Sequence, residues 1–180
     1  MTQAISAEER QEILDRVEQR AASYMYEYKG CGQAVLLALQ QEFDLPGGSA
    51  PVKSATFLGR GIARLGDTCG ALIAGMLALG LASGRENLED SPYPEPKVID
   101  PTTRLPKSLM QVRTFYQKFV DMFSSSACRE IQVKMLGRSF DLGKPEENDE
   151  FSRLSHSKCS EMVGKVGRLA AETILEMPRR

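Results

Sequence analysis

Along most of the chain the apolar residues recur every three or four positions, and no stretch alternates long enough to read as a half-buried strand. That periodicity limits the fold to helices packed on helices. The first helix should start at Ser6. In Ser6-Ala7-Glu8-Glu9 the Ser6 hydroxyl and the Glu9 carboxylate are spaced to satisfy each other's free amides, a capping box. Its buried stripe would be Ile13, Leu14, Val17, Ala21 and Tyr24, and Lys29-Gly30 is a suitable stop, with the glycine taking the left-handed turn.

A second helix is expected from Cys31 to about Phe43, broken by "DLPGGSAP", and a short third one from Ser54 with Ala55, Leu58, Ile62 and Leu65 on one side. A fourth lies in "LGDTCGALIAGMLALGLASG", capped by Asp67 or Thr68. The proline-rich segment 84–106 follows, long for a passive connection and a candidate contact for a second copy in a homodimer. The fifth helix, Lys107 to Phe123, should bury Leu109, Val112, Tyr116, Phe119 and Phe123, with Phe115 in the same aromatic stripe. The sixth runs from Cys128 to Gly137. A charged loop over 137–156 leads to the seventh, Ser157 to Met177. The expectation is an all-α fold, one domain over 1–180, with six or seven helices.

Composition excludes several roles. With 23 basic and 24 acidic residues among 180, a net charge of −1 gives no electrostatic footprint for nucleic acid. No apolar run is long enough for membrane insertion, and "MTQAISAEERQEILDR" is no signal peptide, so a cytoplasmic protein is expected.

In a reducing compartment, four cysteines point away from two plain structural disulfides, and toward metal binding, thiol redox chemistry or inert burial. Their contexts are "KGCGQAVLLAL", "DTCGALIAGML", "SSSACREIQVKML" and "SHSKCSEMVGKVG". Each cysteine follows a residue suited to an N-cap and precedes an apolar run in helical phase with it. Cys31, Cys69, Cys128 and Cys159 are therefore each expected in the first turn of a helix. There, free amides and the positive end of the dipole favour a thiolate and depress its pKa. No C-x-x-C pair occurs, so any shared site must be assembled by the tertiary fold.

These same segments resemble the family of redox-active proteins named for a C…GCAxxG…C…C signature. The resemblance runs from about Lys29 to Leu175 and is strongest in "CGQAVLLAL", "TCGALIAGMLALGL", "ACREIQ" and "KCSEMVGKVGRLA". All four cysteines fall in the expected order, while the sequence around Cys69 reads Cys69-Gly70-Ala71 with the later small pair Ala74-Gly75. The resemblance implies a small helical protein with a redox role, without naming a substrate; a redox partner protein is the partner such a role would call for.

In that context the leading reading is a metal site of four thiolates, Cys31, Cys69, Cys128 and Cys159, holding an iron–sulfur cluster for electron transfer. Zinc ranks behind it, because structural zinc sites draw ligands from closely spaced pairs. Haem is excluded from the reading by the lack of C-x-x-C-H. Two alternatives stay open: metal-free thiol–disulfide chemistry among the same cysteines, and a helical interaction protein with inert buried thiols. His156, the single histidine, stands three residues before Cys159 as a candidate accessory ligand or proton donor. Gly59-Arg60-Gly61 with Gly66 lacks the spacing of a phosphate loop and reads as close packing, as do Gly70, Gly75 and Gly80.

Overall fold

The computed structural model describes residues 5–87 and 104–177, and its first helix starts at Ala7. Ser6 opens α1 (Ala7–Tyr28) by accepting the Glu9 amide at 3.1 Å, and Leu14, Val17 and Ala21 form its buried stripe. The helix exits through Lys29 at φ 60°, whose amide donates to the Met25 carbonyl. The left-handed position is thus Lys29, one residue before the expected Gly30. Next come α2 (Cys31–Phe43), a single turn α3 (Ala50–Ser54) and a 3-10 turn over Ala55–Leu58. Then follow α4 (Gly70–Ser83), α5 (Arg104–Phe123), α6 (Cys128–Leu136) and α7 (Pro145–Glu176). Seven α-helices and no strand occur among the described residues, so the fold is all-α.

α1 lies along α7, and α2 packs against α1, α4 and α7. α7 meets α1 closely because it carries no side chains at two points of contact. A Cβ at Gly164 would stand 2.8 Å from the Glu18 carbonyl oxygen, and one at Gly167 would stand 3.0 Å from Ala21 Cβ. Leu36, Leu39, Leu72, Leu79, Phe115, Phe119, Val163 and Val166 fill the core with no exposed surface. Each such side chain contributes about 1.5–3 kcal/mol of burial. Arg168 on α7 reaches Asp15 at 2.5 Å and Glu18 at 3.0 Å on α1, fixing the register of that pair.

Four expectations are corrected. The charged loop 137–156 is a loop only to Lys144, because α7 begins at Pro145. Proline needs no amide partner in a first turn, and Glu146 and Glu147 oppose the helix dipole there. The charges of that stretch are used locally: Arg138 pairs with Glu147 and Glu150, and Phe151 and Ser155 are buried in phase with Cys159. On α5 the buried aromatics are Phe115 and Phe119, while Leu109 and Tyr116 are 42% and 39% exposed. The buried face there follows Ser108, Phe115 and Phe119, and Tyr116 lies on the exposed side. The short helix expected from Ser54 ends as a 3-10 turn at Leu58, and a left-handed turn replaces its continuation. Gly80 packs against nothing, unlike Gly70 and Gly75.

Of the segment 84–106, residues 88–103 lie outside the described residues, and Arg104 already belongs to α5. Among the described residues no helix is long and apolar enough to cross a membrane.

Candidate functional site

An isolated antiparallel bridge between Thr68 and Ala127 joins the start of α4 to the start of α6. The Cys69 amide donates to the Ser126 carbonyl at 2.8 Å, the Cys128 amide to Asp67 at 2.7 Å, and the Arg129 amide to Gly66 at 2.9 Å. Two cysteines distant in sequence are thereby held by one short ladder. Cys31 joins them because Gly70 has no side chain. A Cβ there would lie 3.0 Å from Cys31 Sγ and 2.2 Å from the Leu58 carbonyl oxygen. Cys159 comes from α7. All four cysteines are free and line one cavity of about 50 Å³, floored by Met25, Phe151 and Met162. That volume holds a few water-sized groups at most.

The placement differs from a set of four helix starts. Cys31 and Cys128 are the first residues of α2 and α6, and Cys69 occupies the N-cap position of α4. Cys159 sits in the middle of α7, nearly four turns beyond Pro145, and so is far from the N-terminus of its own helix. Asp67 does not cap α4 either; its Oδ1 accepts from the amide and the hydroxyl of Thr68.

Burial governs the chemistry of the sulfurs. All four thiols are pushed above their ordinary pKa, opposite to the depression expected from the helix dipole. The reason is desolvation in an apolar lining, which disfavours the thiolate more than nearby amides favour it. Cys69 is raised by burial and by the neighbouring Cys31 and Cys128. Cys159 is pushed up to about 12 by burial, against a hydrogen bond from Ser155. Donors nevertheless converge on the sulfurs. Cys31 receives the amides of Arg60, Gly32 and Ala71, and Cys69 those of Leu72 and Ala71. Gln132, itself 1% exposed, donates Nε2 to Cys128 Sγ at 3.4 Å and accepts the Phe140 amide at 3.0 Å.

Arg60 is the site residue that the sequence reading passed over. Residues Arg60, Gly61, Ile62, Ala63 and Arg64 all have positive φ, between 51° and 75°. For the four that carry a Cβ, that conformation is disfavoured by about 1–2 kcal/mol each. The turn is held by bonds such as Ala63 N–H to Phe57 O at 2.7 Å and Asp67 N–H to Gly61 O at 3.0 Å. It brings Arg60 to the cavity, where Nη2 donates to Ser152 at 2.8 Å and the guanidinium lies over the Phe151 ring. Burial and Arg64 lower the Arg60 pKa, while Cys159, Cys31 and Cys128 act to raise it. Only the glycines around Arg60 hinted at this turn. The other members, Phe151 and Ser155, were legible as an i, i+4, i+8 series with Cys159, hidden by the loop assignment.

His156 lines the same cavity, but its ring stacks on Tyr26 at 4.1 Å and its Nε2 lies 2.9 Å from the Tyr26 carbonyl. Among the described residues no three of His, Cys, Asp or Glu are grouped to hold a single metal ion.

Residues 29–173 match the model of the family described as "Putative redox-active protein (C_GCAxxG_C_C)". The match covers most of the chain, and the protein belongs to that family. Neither a curated protein nor a solved structure matches it.

Proposed function

We propose that the protein is an electron-transfer protein whose Cys31, Cys69, Cys128 and Cys159 hold an iron–sulfur cluster. The observation that carries this is the convergence of all four family cysteines on one apolar cavity. A cluster bound there would supply reversible one-electron storage.

The donor set fits such a group by chemistry, and the cavity of about 50 Å³ must widen to admit a cluster core. Four thiolates are the usual cluster ligands, each iron taking its own sulfur, so the four need not close on one point. A single zinc ion requires every sulfur about 2.3 Å from the same centre, and the described residues offer no such grouping. The closed cavity leaves little room for an incoming disulfide. The raised thiols must give up their protons to bind iron, so loading would release protons. The protein's own residues prepare the site for anionic sulfur. Gln132, Ser155 and the amides of Arg60, Ala71 and Leu72 donate to the sulfurs. Met25, Phe151 and Met162 exclude water, and Arg60 offsets negative charge.

The test is to purify the protein without oxygen, record its visible spectrum and assay iron and acid-labile sulfide. Broad visible absorption with iron and sulfide in comparable amounts is the expected result. A colourless, metal-free protein with four titratable thiols contradicts the proposal.

A further inference from the structure

A second concavity, a groove of about 600 Å³, adjoins the cysteine cavity, and Lys29 and Arg60 line both. Its volume is that of a small-ligand site. Tyr28 and Phe57 line it and are 69% and 78% exposed, so their ring faces are open to a ligand. Arg64 adds a third cation, and no carboxylate lines the groove. Glu27, next in the chain to Tyr28, is engaged by the Tyr28 hydroxyl. Arg60 Nη1 is buried with no hydrogen-bond partner, although Nη2 is held by Ser152. The strained turn over residues 60–64 carries both arginines of the groove.

We propose that this groove binds a planar aromatic anion, a ring system bearing phosphate, with the ring against Tyr28 and Phe57 and the phosphate on Lys29, Arg60 and Arg64. Rings on the wall recognise a π-face. Three cations without a carboxylate recognise negative charge, and the planar fork of a guanidinium matches phosphate oxygens. A concavity of about 600 Å³ with rings and cations on its walls has the size of a small-ligand site, so a small ligand fits better than an acidic protein. The choice of a redox-active ring as probe rests on the redox reading of the adjoining cysteines.

The experiment titrates the full-length protein, purified without oxygen, with flavin mononucleotide and reads flavin fluorescence and heat. One saturable site is expected, weakened on the order of tenfold when riboflavin replaces the phosphate ester or in Arg60→Gln. Phe57→Ser, at an exposed position that leaves the core untouched, should weaken binding by roughly fivefold or more. No saturation overturns the proposal, as does unchanged binding in both variants. A dimer of this chain that Phe57→Ser dissociates in sedimentation also overturns it, because a second copy then covers the groove. Iron and sulfide are assayed on the same sample. Flavin binding without iron sinks the cluster reading alone, and a cluster protein indifferent to flavin sinks the groove alone.

Discussion

The amide of Cys128 donates to the carbonyl of Asp67 at 2.7 Å, and this bond ties a thiol on α6 to the entry of α4. The peptide at Gly61 fits beneath it with no room to spare. A Cβ at Gly61 would stand 2.6 Å from the Asp67 nitrogen and 2.7 Å from Cys128 Cβ, on a backbone of φ 75°. Gly61→Ala should therefore separate the two helix starts and lower stability by about 1–3 kcal/mol. Urea denaturation reads the loss, and faster alkylation of Cys69 and Cys128 in the native metal-free protein reads the opened bridge.

Two glycines of α4 should respond in opposite directions. A Cβ at Gly75 would lie 2.4 Å from Cζ of the fully buried Phe115, so Gly75→Ala should destabilise by about 1–3 kcal/mol. Gly80 has nothing within 4 Å of that position, and Gly80→Ala should stabilise by about 0.5–1 kcal/mol through helix propensity. Thermal melts of the two variants should bracket the parent.

Gln132 holds two partners at once, Cys128 Sγ and the Phe140 amide. Gln132→Leu keeps the volume but leaves the buried Phe140 amide unpaired, a loss of about 1–3 kcal/mol by chemical denaturation. A neutral effect would mean that the amide finds water instead.

The metal-free protein should lose stability in alkali. Cys159 has a folded pKa of about 12, above the ordinary thiol value of 9.0. The folded state thus keeps a proton that the unfolded chain gives up. The contribution is complete below pH 9 and disappears as pH rises toward 12, by about 1.4 kcal/mol per pH unit for that thiol. The urea midpoint followed across this range checks it, and Cys159→Ser should flatten the dependence.

Local signals in the sequence located most helices well. Ser6 begins α1 as its capping box requires, α2 spans Cys31–Phe43, and Gly137 ends α6 with a left-handed φ of 85°. Those positions are decided by chemistry within a few residues. The misreadings lie where neighbours distant in sequence decide. Pro145-Glu146-Glu147 is a sound helix start, but its surrounding charges disguised Phe151 and Ser155 as loop, which misplaced Cys159 at a helix end. The left-handed turn at Arg60 has no signal in Ile62, Ala63 or Arg64; its bonds run back to Phe57, Leu58 and Gly59, but its place is set by Gly61 packed under Cys128 and by Arg60 bonded to Ser152. The thiol pKa values were misjudged for the same reason. Three of the cysteines sit at the helix starts expected, yet the depth of burial that outweighs the dipole belongs to the assembled core.

The most direct test of a single four-cysteine site is the iron content of Cys31→Ser, Cys69→Ser, Cys128→Ser and Cys159→Ser, each purified without oxygen beside the parent. One shared cluster predicts that every variant loses most of its iron and visible absorption while circular dichroism stays helical. Variants that divide into two unaffected and two affected, or any one that keeps the parent's iron and spectrum, would contradict it.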